Sequence, residues 1–201
     1  MKRGILIAFE GIDGCGKSTQ LRRAAETLRE RGLDPVVTRE PTDGPWGRKI
    51  RAMAQSGDAV SPETELDWFF EDRREHMREV VTPVLDAGRV VLSDRSYLST
   101  VAYQGARGLD VAKILAESEA EVEKPGLVLV FTLSAEAGLA RVDARGGTSE
   151  PVFENLPFQE KVAEIFAELD VDGLVRIDAD RDEEAIAANT WRAIASKLGL
   201  D

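Results

Sequence analysis

The sequence predicts an α/β fold in which a five-stranded parallel sheet is covered by helices on both faces. Short apolar runs that suit buried strands alternate along the chain with apolar residues at helical spacing. The 201 residues, 43% of them hydrophobic, are enough for one domain with a substantial core. Polar and glycine-containing segments follow several strands, at the edge of a parallel sheet where active sites form.

The first half of the chain begins this alternation. The apolar run 5–9 is typical of a strand that is buried on both faces. A helix with apolar residues at helical spacing follows, and Gly32 ends it. A second strand is predicted over 35–38. A long helix then begins at Ser61, an N-cap residue followed by proline, and continues to Gly88.

The second half continues the same pattern. The predicted elements are strands at 90–93, 127–133 and 174–177, and helices at 110–122, 135–145, 162–169 and 186–198. The chain contains no internal repeat or linker, so we predict a single domain over 1–201. The loop-like segment 42–61 and a lid segment at 145–157 are predicted to be mobile.

Composition excludes several classes of function. The formal net charge of −11 argues against binding to nucleic acid or to an anionic membrane. No apolar run is long enough to span a bilayer. The N-terminus leads straight into the first strand, so no signal peptide is predicted and a cytoplasmic location is expected. The single cysteine, Cys15, rules out an internal disulfide, and no cluster of His and Cys suggests zinc.

The stretch between the first strand and the first helix fits the phosphate-loop pattern. It reads Gly11-Ile12-Asp13-Gly14-Cys15-Gly16-Lys17-Ser18. A chance glycine-rich turn is disfavoured because strand, loop and helix occur in the required order. Lys17 is predicted to reach the β- and γ-phosphates and to face solvent when the loop is empty, while Ser18 holds Mg²⁺. The predicted phosphate-binding residues are Gly11, Gly14, Cys15, Gly16, Lys17, Ser18 and Thr19.

Charged residues follow the second and third strands. Asp94 stands where a phosphate-loop enzyme places a second carboxylate on the magnesium side, and the neighbouring Arg95 is suited to clamping phosphate oxygens. The alternative interpretation of this pair is a surface ion pair. Arg39 ends the second strand and is predicted to point toward the same cleft, although by itself it is equally consistent with a solvated charge.

Four motifs in this order resemble the thymidylate kinases, nucleoside monophosphate kinases that make dTDP from dTMP. They are Phe9-Glu10-Gly11-Ile12-Asp13-Gly14-Cys15-Gly16-Lys17-Ser18-Thr19-Gln20, Thr38-Arg39-Glu40-Pro41, Asp94-Arg95-Ser96 and Ser99-Thr100-Val101-Ala102-Tyr103-Gln104-Gly105. The resemblance extends to about residue 133 and returns weakly near the C-terminus. It implies a P-loop NTPase-type fold with a mobile lid, ATP as co-substrate, Mg²⁺ and a homodimer.

The resemblance also implies roles for individual residues at the acceptor phosphate and sugar. Asp13 corresponds to the loop acid that contacts the acceptor sugar. Arg39 and Arg95 correspond to arginines that bind the acceptor phosphate and the transferred phosphoryl group. Tyr103 corresponds to a residue beside the sugar that helps to select deoxyribose; its alternative is a packing residue of a helix.

The resemblance places three further residues around the base and also includes Arg107. Phe69 stacks on the thymine ring, and Arg73, one helical turn later, binds the carbonyl edge of the ring. Without the resemblance, Phe69 is better explained as a core residue. Gln104 lies beside the base, with a surface amide as its alternative, and Arg107 fits the family with a less defined role. The only histidine, His76, is interpreted as a surface or packing residue of the long helix.

The lid segment departs from the family pattern. Members with a small residue after the loop acid, as Gly14 is here, carry catalytic arginines in the lid. Arg141 and Arg145 match the start of that segment, and Lys161 stands where the next helix carries an arginine. The later acid–arginine element is replaced by the run 150–154. We therefore predict that Arg145, together with Arg141, supplies catalytic positive charge.

Two other classes of function remain open from the sequence. One is a kinase that acts on another nucleotide or on a small metabolite. The other is a non-catalytic nucleotide-binding switch or assembly module. No Asn is followed by Lys, so the guanine-binding motif of a GTPase switch is absent, and an inactive module should have lost Lys17, Asp94 or Arg95.

Overall fold

A computed structural model describes residues 3–146 and 152–200 of the chain. Within these ranges, five strands form one sheet in the order β2-β3-β1-β4-β5. The strands are Ile5–Gly11 (β1), Val36–Arg39 (β2), Val90–Asp94 (β3), Leu127–Thr132 (β4) and Leu174–Asp178 (β5). Every pairing between neighbouring strands is parallel, which confirms the predicted α/β fold class.

Helices connect these strands. They are Lys17–Glu30 (α1), Pro45–Ser56 (α2), Pro62–His76 (α3), Thr82–Asp86 (α4), Tyr97–Ala106 (α5), Val111–Glu121 (α6), Ala135–Arg145 (α7), Leu156–Glu168 (α8) and Glu183–Leu198 (α9). Within the described ranges, none of them is long and apolar enough to cross a lipid bilayer.

Both faces of the sheet are packed, because successive side chains of a strand point to opposite sides. Leu6 and Val91 pack against the segment 77–85 in a small cluster. Ile7 and Leu92, one residue further along the same strands, belong to the larger core. Their alternation explains why these strands read as continuous apolar runs.

Three elements differ from their prediction. Residues 45–56 of the predicted loop-like segment 42–61 form α2. The predicted long helix contains a π-helical turn, Met77–Val81, between α3 and α4. Pro83 lies just after that turn. Proline lacks an N–H, and its ring clashes with the carbonyl group four residues earlier in an α-helix. The wider π-helical turn accommodates the ring. Helix α5 is not predicted from the sequence. Its residues 97–104 are all buried, so the helix shows no amphipathic period.

The phosphate loop packs directly against α7. A Cβ atom added to Gly138 would lie 2.5 Å from the Asp13 carbonyl oxygen, and one added to Gly14 would lie 2.0 Å from the Gly138 carbonyl oxygen. Gly14 also has a φ angle of +75°, which favours glycine. The backbone of the phosphate loop therefore contacts the backbone of α7 directly, and this contact fixes the position of α7 relative to the loop.

We expect Gly138→Ala to destabilise the protein by about 1–3 kcal/mol, because the added methyl group overpacks the loop. Glycine-to-alanine changes inside a helix otherwise stabilise a protein by about 1 kcal/mol. A loss of unfolding free energy in Gly138→Ala therefore indicates the tight contact with the loop. Urea unfolding monitored by circular dichroism measures the effect. The exposed Glu136→Ala on the same helix is the control, and a stabilised Gly138→Ala variant would contradict the tight contact.

Candidate active site

A cleft of about 720 Å³ opens at the carboxyl ends of β1, β2 and β3. The phosphate loop forms one wall of this cleft. Predicted site residues that line it are Asp13, Gly14, Cys15, Gly16, Lys17, Ser18, Thr19, Arg39, Phe69, Asp94, Arg95, Tyr103, Arg141 and Arg145. Gly11, at the end of β1, and Arg73, Gln104 and Arg107 are not among the residues that line this cleft, although the structure describes all four.

The phosphate loop ends at Gly16, the N-cap of α1, which has a φ angle of +90°. Its carbonyl oxygen accepts hydrogen bonds from the backbone N–H groups of Thr19 and Gln20, at 3.1 Å each. Gly16 has no side chain to cap the helix, so the start of α1 presents backbone N–H groups and the positive end of the helix dipole to the cleft.

Lys17 is buried, whereas the sequence analysis predicts that it faces solvent. Only 7% of the residue is exposed, and its Nζ donates to the Ile12 carbonyl oxygen at 3.4 Å. The same Nζ lies 3.9 Å from Asp13 Oδ1. The prediction was wrong because the ammonium group folds back onto acceptors of its own loop. Cys15 is fully buried in that loop, and burial raises the pKa of its thiol.

Arg95 follows β3 in a left-handed backbone conformation, with a φ angle of +71°. Its backbone N–H donates to the Phe9 carbonyl oxygen at 2.9 Å. Nη1 donates to the Gly11 carbonyl oxygen at 3.1 Å and to Ser99 Oγ at 3.0 Å. Nη2 donates to Asp13 and, at 3.0 Å, to the Tyr103 hydroxyl. These contacts hold a residue that is not glycine in a sparsely populated conformation, a feature that is typical of functional sites.

Asp13 is the shared acceptor at the centre of this arrangement. Its Oδ2 accepts from the Tyr103 hydroxyl at 2.9 Å and from Gln159 Nε2 at 3.0 Å. Burial alone would raise the pKa of Asp13, but the positive charges of Arg95 and Lys17 and these hydrogen bonds lower it below its ordinary value. Asp13 is therefore a carboxylate that accepts hydrogen bonds and does not donate them.

Ser18 and Asp94 bring a hydroxyl and a carboxylate together beside the loop. Ser18 Oγ donates to Asp94 Oδ2 at 2.5 Å. Both groups offer oxygen ligands, and Mg²⁺ is usually held by one or two such groups together with substrate phosphates. The residues present therefore fit a magnesium ion, as the sequence predicts.

Arginines surround an acidic residue at the outer side of the cleft. Asp43 Oδ1 accepts from Arg39 Nη2 at 2.5 Å and from Arg51 Nη2 at 2.8 Å. Arg51 lines the cleft but was missed by the sequence analysis, because the helix that carries it was not predicted. The opposite wall includes Arg141, whose guanidinium donates to the Ala179 carbonyl oxygen at 3.2 and 3.3 Å.

A buried charged cluster holds Arg73. Its Nε donates to Glu40 Oε2 at 2.9 Å, and its Nη2 donates to Thr100 Oγ1 at 2.7 Å. The remaining nitrogen, Nη1, is buried without a hydrogen-bond partner among the described residues. Glu40 Oε1 lies 3.0 Å from His76 Nδ1. His76 is thus a buried member of this cluster rather than a surface residue, and its signal in the sequence was too weak to show this.

A second buried cluster lies at the far end of α5. Gln104 Nε2 donates to Glu65 Oε1 at 2.7 Å, and Arg107 Nη1 donates to the same carboxylate. Arg107 Nη2 also donates to the Val60 carbonyl oxygen at 2.6 Å. Gln104 Oε1 is buried with no partner in the described part of the chain. Gln104 is therefore not a surface amide, and the contacts of Arg107 tie α5 to the start of α3.

Glu10 is a buried acid that the sequence analysis did not single out. It is fully buried at the end of β1, where Ser99 Oγ donates to it and Ser99 N donates at 3.3 Å. Burial raises the pKa of Glu10 to about 7, although the hydrogen bond from Ser99 and the charge of Arg95 oppose the shift. Ser99 thus connects Glu10 to the guanidinium of Arg95.

A phosphate loop after β1 and the acid–arginine pair at the end of β3, facing one cleft, define a nucleotide-binding protein of the P-loop class. The family model described as thymidylate kinase matches residues 9–189 of the chain. The chain therefore belongs to the thymidylate kinase family, which confirms the resemblance seen in its motifs.

Individual relatives agree with this assignment. The chain is 43% identical over 176 residues to a thymidylate kinase of Desulfotalea psychrophila, a match that covers 88% of this chain and 87% of that protein. It is 40% identical over 195 residues to a thymidylate kinase of Xanthomonas euvesicatoria pv. vesicatoria, covering 97% of this chain and 85% of that protein. A thymidylate kinase of Xanthomonas campestris pv. campestris is 39% identical with the same coverage.

The raised pKa of Glu10 predicts a pH dependence of stability. The folded chain keeps the proton of Glu10 up to about pH 7, whereas an ordinary glutamate loses it near 4.5. Between these values the folded state binds more protons, so rising pH removes stability through this group. We expect Glu10→Gln, which does not titrate, to gain stability relative to the wild type as pH rises through that window.

Urea unfolding at several pH values across that window measures this difference. The exposed Glu136→Gln is the control and should follow the wild type. A constant difference in unfolding free energy between Glu10→Gln and the wild type would show that Glu10 does not titrate there.

Proposed function

We propose that this chain transfers the γ-phosphoryl group of ATP to dTMP, forming dTDP and ADP with the help of Mg²⁺. The observation that carries the choice of acceptor is a pair of buried polar atoms, Arg73 Nη1 and Gln104 Oε1, that have no partner among the residues described. They are a donor and an acceptor directly behind residues that line the cleft, because Arg73 binds Glu40 and Gln104 follows Tyr103 on α5. The alternatives are a phosphate-loop kinase with another acceptor and a non-catalytic nucleotide-binding module.

The pair matches the edge of a thymine ring. Thymine presents a carbonyl oxygen as acceptor and an N–H as donor at neighbouring positions. Thr100, which contacts Arg73, and Gln104 are one turn apart on the same face of α5, so Arg73 and Gln104 lie near each other. Burying polar atoms without partners costs about 1–3 kcal/mol each, and a base that pairs with both removes this penalty. Phe69 lines the cleft and supplies a ring on which the base stacks.

On the donor side, the phosphate loop binds the phosphates of ATP. The N-terminal end of α1 and the Lys17 ammonium face the β- and γ-phosphates. Ser18 and Asp94 would hold Mg²⁺, which would offset the negative charge of the phosphates. Lys17 leaves its loop acceptors, Ile12 and Asp13, to bind phosphate.

On the acceptor side, arginines and Asp13 position dTMP. Arg39 and Arg51 bind the acceptor phosphate once it displaces Asp43 as their counter-charge. Asp13 and Tyr103 lie at the sugar. Arg95 directs its four Nη hydrogens at protein acceptors, so it binds phosphate through its Nε–H or by exchanging one of these contacts for a phosphate oxygen.

The transfer itself requires little covalent participation by the protein. A phosphate oxygen of dTMP forms a bond to the γ-phosphorus while the bond between that phosphorus and the β–γ bridging oxygen breaks. ADP leaves with the electron pair. The loose transition state is stabilised mainly by position and positive charge, so no histidine base is needed. Arg145 and Arg141, with Lys161 as a further cation, provide charge on the side of α7 and α8.

We propose one domain over 1–201 that acts as a homodimer in the cytoplasm, with nucleotides and not nucleic acid or membrane as partners. The family resemblance and the net charge of −11 support these proposals. We further propose that 42–61 and a lid at 145–157 move during the cycle; residues 147–151 of that lid lie outside the described residues.

A panel of monophosphates tests the acceptor. We expect dTMP to be phosphorylated fastest in the presence of ATP and Mg²⁺, dUMP more slowly, and AMP and GMP much more slowly. A purine does not fit a pyrimidine-sized slot, whereas a missing methyl group weakens binding by only about 1–3 kcal/mol. Formation of diphosphate and ADP is followed by chromatography. Lys17→Ala is the control for contaminating kinases and should be nearly inactive; equal turnover of AMP and dTMP would overturn the proposal.

Arg145→Ala tests the source of catalytic charge. We expect turnover to fall at least tenfold with little change in the KM for dTMP, because an arginine that meets charge only in the transition state contributes about 10³–10⁵ in related enzymes. Steady-state kinetics and a thermal midpoint are the measurements. Arg192→Ala, an exposed arginine on α9, is the control. A loss of less than about threefold would leave Arg145 as a helix-end charge that only complements the helix dipole.

A further inference from the structure

Gln159 makes an unusual set of contacts with the phosphate loop. It lies on α8, 146 residues from Asp13 in sequence, and only 1% of it is exposed. Its Nε2 donates to Asp13 Oδ2 at 3.0 Å and to the Phe153 carbonyl oxygen at 3.1 Å. Its Oε1 accepts from the Asp13 backbone N–H at 3.4 Å. One amide therefore contacts both the backbone and the side chain of Asp13.

The chemistry of these contacts requires an amide. Asp13 is a carboxylate with a lowered pKa, so it needs donors, while its backbone N–H needs an acceptor. Glutamine supplies a donor and an acceptor at the ends of one rigid group. The amide and the Tyr103 hydroxyl both donate to Oδ2, whereas Arg95 donates to Oδ1. The two oxygens of Asp13 are thus fixed from different directions.

Aromatic packing holds the amide in place. The Tyr103 ring contacts Phe153 and Phe158 edge-on, with centroids 5.7 and 5.8 Å apart. Phe158 directly precedes Gln159 on α8, and Phe153 provides the carbonyl that Gln159 binds. The side chain of Gln159 therefore has little freedom to turn away from Asp13.

We propose that Gln159 is a positioning residue for the acceptor site, which orients the Asp13 carboxylate toward the sugar of the acceptor nucleotide. This inference rests on the proposed function, because it assigns Asp13 to the acceptor. Gln159 itself acts through Asp13. The competing explanation is that Gln159 merely fastens α8 to the loop and contributes to stability alone.

A charge change at Gln159 separates the two explanations. In Gln159→Glu a carboxyl of the same shape faces the Asp13 carboxylate within hydrogen-bond distance. Two carboxylates at this distance share one proton at lower pH and repel each other when both are ionised. Arg95 and Lys17 also face Asp13, and we expect the pair to hold a proton at about pH 6 and to lose it by about pH 8, so that the donor contact to Asp13 is restored only at the lower pH.

We expect the KM for dTMP of Gln159→Glu, relative to the wild type at the same pH, to be raised about tenfold or more at about pH 8 and clearly less at about pH 6. The KM for ATP should change less than about twofold, because the acceptor site is affected and the donor site is not. Gln159→Ala should raise the KM for dTMP to the same extent at both pH values.

Gln20→Glu is the matched control. Gln20 is another buried glutamine, and its Nε2 donates to a backbone carbonyl, that of Glu183, at 3.4 Å. Gln20 also lines the cleft, but it lies on α1 and makes no hydrogen bond to Asp13 among the described residues, so this variant places an acid at a buried position outside that contact. Its KM for dTMP relative to the wild type should therefore be the same at both pH values.

Three results would overturn the inference. They are a pH-independent effect of Gln159→Glu, an equal rise of the KM values for dTMP and ATP, and a normal KM for dTMP in Gln159→Ala. If the wild type neither binds nor phosphorylates dTMP, the proposed function fails instead. In that case the contact with Asp13 is still supported if the thermal midpoint of Gln159→Glu, relative to Gln159→Ala, falls between about pH 6 and about pH 8.

Discussion

The ion pair between Arg95 and Asp13 is the interaction on which the rest of the site depends. It joins the end of β3 to the phosphate loop that follows β1, and β1 and β3 are neighbours in the sheet. A buried charge is tolerated only when it is paired and hydrogen-bonded, and both partners here meet that condition through Tyr103 and Ser99. Removing either partner would leave the other, partly buried charge without its main counter-charge. The pair therefore sets the geometry that the loop, α5 and α8 share.

The same principle governs the side of the site that would bind the base. Glu40 lies between Arg73 and His76, and although burial alone would raise its pKa, these two partners lower it. The cluster satisfies most of its polar atoms internally and leaves one nitrogen of Arg73 without a protein partner among the described residues. Such a cluster is rigid because each member restrains its neighbour. Under the proposed function, specificity would arise from the few polar groups that have no partner among the described residues.

Much of this arrangement could be predicted from the sequence, for reasons that differ between fold and site. Strands that are buried on both faces leave continuous apolar runs, so the parallel sheet was visible. The phosphate loop and Asp94-Arg95 were found because their spacing carries the chemistry. Helix α5 was missed because a fully buried helix has no polar stripe, and Arg51 was missed with α2, whose proline and glycine start suggested a loop. Gln159 gives no local signal, since its role depends on a contact across 146 residues.

The close approach between the phosphate loop and Gly138 has a geometric consequence for α7. Gly138, Arg141 and Arg145 are spaced three and four residues apart, so they lie along one stripe of the helix. The backbone contact at Gly138 therefore sets how far the two guanidinium groups stand from the phosphate loop. A bulkier residue at position 138 would push α7 away from the phosphate loop, and both arginines would move away with the helix. Gly138, which has no side chain, therefore helps to determine how far the two arginines extend, in addition to the charge that they carry.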